Sequence, residues 1–429
     1  MRAMKDSGIA WIGEIPEEWE LVKTRRFFSN HKQVVGEEVD KYERLALTMN
    51  GVIKRSKDDS DGLQPEKFET YQILHKNELI FKLIDLENIK TSRVGLSPYT
   101  GLVSPAYIVL SSHFEDNRFF YYWFVSMYYN EVFNHLGGNG VRSALNAKDV
   151  LMLPVPSIQF PEQRRIADYL DRKCSQIDTI IARQQEVIEK LKAYKLSVIT
   201  EAVTKGLNPH APMKDSGVEW IGEIPEQWRM IRLKFLMSDI IDCPHETPAY
   251  SDDGEYLVIR TADQDLGKLR ADQDMYRLNK NEYQNRIRRM ALNKNDIVYG
   301  REGERWGLAC LVPESNKYCL GQRMLQFRCK NELLLPHFAV WALNSKYIYL
   351  QGSVDTIGST SPHVNISTVQ NFLMPVPQIC EQQEITEYID KKMLQLDKDL
   401  LHRNTLIRKL IEYKKSLVYE VVTGKKEVI

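Results

Sequence analysis

From residue 162 to 203 apolar side chains return at alternating steps of three and four with no Pro or Gly between them, and from 381 to 422 they do so again. The first run places Leu170, Ile177, Gln184, Leu191 and Val198 at one heptad position and Cys174, Ile181, Ile188, Lys195 and Ala202 at the other. The second places Ile389, Leu396, Arg403, Leu410 and Leu417 against Met393, Leu400, Ile407, Lys414 and Val421. A seam sustained this far predicts two long coiled-coil helices. Each follows a proline cluster and has Glu in its first turn, where the positive end of the helix dipole favours it. At 1.5 Å per residue each helix is about 60 Å long. That is too long for one globular neighbour to cover, so each needs a partner, and the other copy is the obvious one. Gln184 with Arg403, and Lys195 with Lys414, fall at equivalent levels. They read either as solvated positions on an imperfect stripe or as polar residues that set register.

The duplication extends beyond the helices. "MKDSGIAWIGEIPEEWE" at 4–20 returns as "MKDSGVEWIGEIPEQWR" at 213–229, and "LPVPSIQFPEQRRIADYLDRKCSQID" at 153–178 returns as "MPVPQICEQQEITEYIDKKMLQLD" at 374–397. Between these shared pieces, residues 21–150 and 230–371 show almost no identity. The chain is therefore an opening strap, a variable part and a long helix, repeated once. The paired Trp and Ile around Pro16 and Pro225, with Trp11, Trp19, Trp220 and Trp228, suit a buried anchor for each variable part. The variable parts mix strand-like runs, such as "YLVIRT" (256–261), "NDIVYG" (295–300) and "AYIVL" (106–110), with an aromatic helix at 119–136 and another at 335–352. Each aromatic helix precedes a loop, "GGNGVRSALN" (137–146) or "GSTSPHVNIS" (358–367). Bulky residues at helical spacing predict core rather than base-stacking platforms.

Composition narrows the class. With 429 residues, 43% hydrophobic and 27% charged, the chain has room for more than one ordinary globular core, and no apolar run approaches a membrane span. The start, "MRAMKDSGIA", lacks an apolar signal core, so a cytoplasmic protein is expected. Six cysteines without a CxxC pair read as reduced core residues, and no metal site is expected. Net charge is zero, but residues 277–305 carry eight basic against four acidic side chains, a patch that nucleic acid could use.

Catalytic signatures are missing. There is no GxxxxGK[ST] loop, no GxGxxG turn, no HExxH and no Asn-Pro-Pro-aromatic motif. The acid-x-Lys triplets Asp171–Lys173 and Glu412–Lys414 lie on the long helices, where exposed helix charge explains them better than a nuclease site. The chain reads as a reader or scaffold. Two rivals stay open: a single-chain nuclease with an unrecognised site, and a coiled-coil protein-interaction scaffold without DNA readout.

The strap "DSGIxWIGEIPExW", the "PVP…EQ…I…YLD" opening of a long helix, and the repetition of both resemble the specificity subunit of type I restriction-modification systems over essentially the whole chain. The resemblance implies an α+β chain with two globular target recognition domains separated by two long antiparallel coiled-coil helices, in a pseudo-twofold internal repeat. Residues 1–153 would be the first target recognition domain, 154–206 the first long helix, 207–374 the second target recognition domain and 375–429 the second long helix. Each domain would read one half of a split, asymmetric double-stranded DNA target, while the helices space the halves and dock two methyltransferase subunits. Methylation with S-adenosylmethionine, and ATP- and Mg-dependent cleavage by restriction or motor subunits, would belong to partners, leaving this chain without cofactor or catalytic residue. Arg suits guanine and Gln or Asn suits adenine in the major groove. The expected DNA contacts are accordingly Lys54, Arg55, Lys82, Arg93, Asn139, Arg142 and Ser143 in the first domain, and Arg301, Arg305, Gln322, Arg323, Ser359, Thr360 and His363 in the second. The expected seam is Leu170, Ile177, Ile181, Ile188, Leu191, Val198, Ile389, Leu396, Leu400, Ile407, Leu410 and Leu417.

Overall fold

The structure is a computed structural model that describes residues 2–49, 51–58, 67–84, 86, 93–136, 144–270, 275–303, 305–354 and 363–428. It divides into two compact units, one of Met1–Gln184 with Thr405–Ile429 and one of Gln185–Asn404. The long helices, Phe160–Lys205 and Ile379–Val422, are each shared between these units. The physical reason is that an amphipathic helix buries its stripe against whatever lies beside it, here a different core at each end.

In the first unit the strap forms a hairpin of Met4–Asp6 with Glu14–Pro16, and Glu20–Lys23 then pairs antiparallel with Pro154–Ser157. That pairing explains the Pro-Val-Pro signature: a two-stranded ribbon has only one ladder to satisfy, so it tolerates prolines while Val155 is buried. Two four-stranded sheets follow. One runs Gly51–Arg55, Arg44–Thr48, Gly101–Val103, Gln72–Leu74, with one parallel pair between Arg44–Thr48 and Gly101–Val103. The other runs Phe28–Ser29, Ile108–Ser112, Leu79–Lys82, Arg93–Leu96 and is antiparallel throughout.

The second unit repeats this plan with one strand fewer in one sheet, despite the lost identity. Its hairpin is Met213–Asp215 with Glu223–Pro225, and Arg229–Arg232 pairs with Leu373–Val376. One sheet runs Met237–Asp242, Met324–Cys329, Ile297–Gly300, Ala309–Leu311; the other runs Arg277–Leu278, Tyr256–Ile259, Tyr318–Leu320, again with one parallel pair. The three strand-like runs of the sequence fall on Tyr256–Ile259, Ile297–Gly300 and Ile108–Ser112. The aromatic helices are core: Phe119, Phe120, Trp123 and Phe124 are buried in the first unit, and Phe338 and Trp341 in the second.

Within each unit the ends of the two long helices pair. In the first, Leu170, Cys174 and Ile177 share a core with Leu417, Val418 and Val421. In the second, Val198, Ile199 and Ala202 share one with Ile385, Ile389 and Met393. Each core joins the start of one helix to the end of the other, so the helices run antiparallel. Of the other seam positions Ile188 and Leu396 are buried, while Ile181, Leu191, Leu400, Ile407 and Leu410 are half-buried. The seam lysines are paired: Lys414 Nζ lies 2.7 Å from Asp178 in the first unit, and Lys195 Nζ 2.5 Å from Asp397 in the second. Asp178 and Asp397 are equivalent in the repeat, as are Lys195 and Lys414. Each rung therefore takes its acid from one copy and its base from the other, which suits register setting. Burial works to raise the Asp397 carboxyl, but hydrogen bonds and charge from Lys195 and Lys268 outweigh it and hold the group below its ordinary range.

Each helix opening is held by its Glu-Gln pair. Gln382 Nε2 donates to Pro377 O at 3.0 Å and Leu333 O at 2.9 Å, and Gln163 Nε2 donates to Ile158 O at 2.9 Å. About two turns further in, Tyr122 Oη donates to Asp171 at 2.7 Å, and Trp341 Nε1 donates to the equivalent Asp390 at 2.9 Å. Asp171 is thus a clasp between the aromatic helix and the long one.

Candidate nucleic-acid interface

In the second unit the strand Ile297–Gly300 ends beside two other segments. Arg301 N donates to Arg323 O at 3.0 Å, Val364 N donates to Arg301 O at 2.9 Å, and Glu302 forms an antiparallel bridge with His363. Arg301, Arg323 and His363, 62 residues apart in sequence at most, thereby meet at the end of a central strand, on the edge of the sheet where its strands terminate. Gln322 joins them, its amide donating to His245 O at 3.0 Å and Thr247 Oγ1 at 3.1 Å. Arg305 lies alongside, donating from Nη2 to Gln264 O at 2.6 Å. Ser359 and Thr360 lie outside the described residues.

The side chains differ in what they offer. Arg301 is only 8% exposed, with Nη1 at 2.9 Å from Glu302 and Nε at 3.4 Å from Asp242. Asp242 also holds His245 Nε2 at 2.8 Å, and Glu302 faces Arg323 Nε at 3.7 Å. His245 and Arg323 are exposed. Arg323 has φ +71°, the left-handed region that an arginine rarely adopts.

Several residues around this edge lie outside the expected contact set. Asp242 and His245 bracket Cys243, and among the described residues no His, Cys, Asp or Glu cluster could hold a metal. Arg260 is gripped by Asp263 at 2.7 Å and lies 3.7 Å over the Tyr276 ring, which meets Tyr250 edge-on at 4.6 Å. The Asp263 hydrogen bond, the largest influence, raises the Arg260 guanidinium further above its ordinary value. Buried Arg286 spends itself on main-chain oxygens, donating to Glu246 O at 2.8 Å, Pro244 O at 3.1 Å and Leu320 O at 2.9 Å. Arg289 donates to Asp242 O at 2.9 Å. Part of the basic excess at 277–305 therefore braces the 242–247 loop, a use that residue counting cannot distinguish from a DNA patch.

The first unit has the same edge in outline. The strand Leu79–Lys82 leads to Ile84, which bridges Ala144, matching the Glu302–His363 bridge. Lys82 and Arg93 are cross-strand neighbours there. Lys54 and Arg55 sit on the outermost strand of the other sheet, with Lys54 Nζ at 2.5 Å from Glu43 and 5.2 Å from the Tyr99 ring. Asn139, Arg142 and Ser143 lie outside the described residues.

Known proteins supply the context for these edges. Residues 225–405 match the family described as type I restriction modification DNA specificity domain. A type I restriction enzyme specificity subunit from Methanocaldococcus jannaschii is 25% identical over 64% of this chain and 62% of its own length. Another from Escherichia coli is 23% identical over 64% of this chain and 58% of its own length. The chain's match therefore spans about three fifths of these curated relatives. A solved structure from work on complex assembly and conformational transition of the type I restriction-modification system shares the fold, with TM-score 0.70 at 14% identity, covering 96% of this chain and 99% of that one. No helix among the described residues is long and apolar enough to cross a membrane.

Proposed function

We propose that this chain, which carries a type I specificity domain and resembles type I specificity subunits, is the sequence-specific DNA-recognition subunit of a type I restriction-modification complex. Each compact unit reads one half of a split target. The paired helices hold the halves about one helical turn apart, as in dimeric readers, and dock two methyltransferase subunits. Methyl transfer from S-adenosylmethionine and ATP-driven cleavage belong to those partners and to a restriction subunit. The observation that carries this reading is one strand plan built twice on a repeated frame, with different side chains at the same two sheet edges. A symmetric linker has no use for two different heads.

The contacts to DNA fall at those edges: Lys82 and Arg93 in the first unit, joined by Lys54 and Arg55 from its other sheet, and Arg305, Gln322, Arg323 and His363 in the second, around the ion-paired Arg301. The late-loop residues Asn139, Arg142, Ser143, Ser359 and Thr360 extend each edge. The test is co-expression with the cognate methyltransferase, followed by single-molecule sequencing for methylated adenine. The expected result is one split, asymmetric motif, of which exchange of residues 21–150 alters one half only. A stable complex that methylates no motif overturns the proposal in favour of a docking scaffold, and nicking of DNA by the purified chain with magnesium overturns it in favour of a nuclease.

A further inference from the structure

We infer that His245 and Arg323 are specificity-determining residues of the second half-site, and that Arg301, between them, is a positioning residue that touches no base. The inference rests on the DNA-reading function proposed above. Five charged or titratable side chains from three loops form a single line: His245, Asp242, Arg301, Glu302 and Arg323, with successive separations of 2.8, 3.4, 2.9 and 3.7 Å. The line is buried at its centre and open at its ends. Side-chain exposure is 63% at His245, 14% at Asp242, 8% at Arg301, 24% at Glu302 and 52% at Arg323.

That profile decides the roles. A base reader must present donors or acceptors to a groove, yet the Arg301 guanidinium faces two carboxylates inside the protein, and its main chain is tied to Arg323 O and Val364 N. Turning it outward would leave Asp242 and Glu302 without their shared cation in a buried setting, which is costly. Arg301 fixes those two carboxylates, and each carboxylate in turn orients one exposed end. Asp242 accepting from His245 Nε2 leaves Nδ1 of the neutral ring as an acceptor for an exocyclic base amine. Glu302 steadies Arg323, whose fork suits guanine O6 and N7. The left-handed backbone at Arg323 supports the assignment, since strain of this kind persists where the surroundings impose it and concentrates at ligand-contacting positions. Gln322, next to it, spends its amide on the His245 loop and ties the two ends together.

The test uses the full chain co-expressed with its cognate methyltransferase, and maps methylated adenines genome-wide for wild type, His245→Ala, Arg323→Gly, Arg301→Ala and Arg301→Lys. Glycine at 323 keeps the positive φ while deleting the side chain. His245→Ala and Arg323→Gly should each raise methylation of sites differing at one base of one half by roughly tenfold or more, with the half altered by exchange of residues 21–150 untouched. Arg301→Ala should lower methylation at the wild-type motif without changing any preferred base, and Arg301→Lys should restore part of it; the lysine variant carries this arm where alanine fails to fold. An unchanged motif in both His245→Ala and Arg323→Gly, or a new preferred base in either Arg301 variant, overturns the inference. A wild-type chain that yields no split motif overturns the specificity reading itself.

Discussion

Trp19 and Trp228 occupy the same place in the repeated strap and are both buried, yet only one is satisfied. Trp228 Nε1 donates to Glu381 at 2.9 Å, the glutamate of the second helix opening. The equivalent Glu162 is taken by Arg2 at 2.7 Å, and Trp19 Nε1 is left without an acceptor among the described residues. Residue 211, which matches Arg2, is alanine. This difference at one half-buried position accompanies a changed partner for a buried indole, while the strap hairpins keep the same register in both copies. The frame is held by shape and apolar burial, so it tolerates a lost hydrogen bond. The edge of the second unit is held by charge pairs between distant segments, so its residues can vary only in sets.

The largest test of that contrast removes the anchors. Trp19→Ala and Trp228→Ala should each cost about 3–5 kcal/mol, since both empty a fully buried indole site, as measured by chemical denaturation. Near-equal losses would show that packing dominates; a loss confined to Trp228→Ala would show that the hydrogen bond does. Glycine substitution at the helix ends comes next. Gly424 and Gly206 both have φ +72°, but a Cβ at 424 would run into Pro16 whereas one at 206 would meet Glu381 and Trp228 only at 3.2 Å. Gly424→Ala should therefore cost more than Gly206→Ala, which carries roughly 1 kcal/mol for the left-handed conformation plus a smaller contact with Trp228. Replacing the indoles by phenylalanine sharpens the comparison: Trp228→Phe strands Glu381 and should cost about 1 kcal/mol more than Trp19→Phe, where no bond is lost.

The smallest effect concerns the rungs. Asp397 serves both Lys195 and Lys268 whereas Asp178 serves Lys414, so Asp397→Asn should destabilise more than Asp178→Asn. Both acids are over a third exposed, and screening keeps each effect below about 1 kcal/mol. Because the folded-state carboxyl of Asp397 is held low, its contribution is present above the unfolded value of about 4 and is lost as pH falls through the folded one. The gap in thermal midpoint between wild type and Asp397→Asn should close as pH is lowered from 7 towards 3. A gap that widens would assign the stabilisation to some other group.

The long helices, their seam and the duplicated frame are legible in the sequence because each depends on local period: a 3.5-residue repeat or a repeated word says the same thing wherever the chain goes. The strands at 256–259, 297–300 and 108–112 are legible for the same reason. The strand plan shared by the two variable parts is not, because many apolar sequences satisfy one set of inward positions and leave no common words. Arg301 and Arg286 look in sequence like DNA-facing cations, and only the fold shows one ion-paired beneath the edge and the other bonded to carbonyls of a loop 40 residues away. Asp242 carries no signal, since its partner Arg301 lies 59 residues further along the chain, and His245 joins the line only through Asp242. What the sequence determined by itself was therefore periodic and local: two antiparallel-capable helices on a twice-used mount. Which side chains stand at the open edge was decided only in three dimensions, because burial and charge pairing depend on neighbours that chain order does not specify.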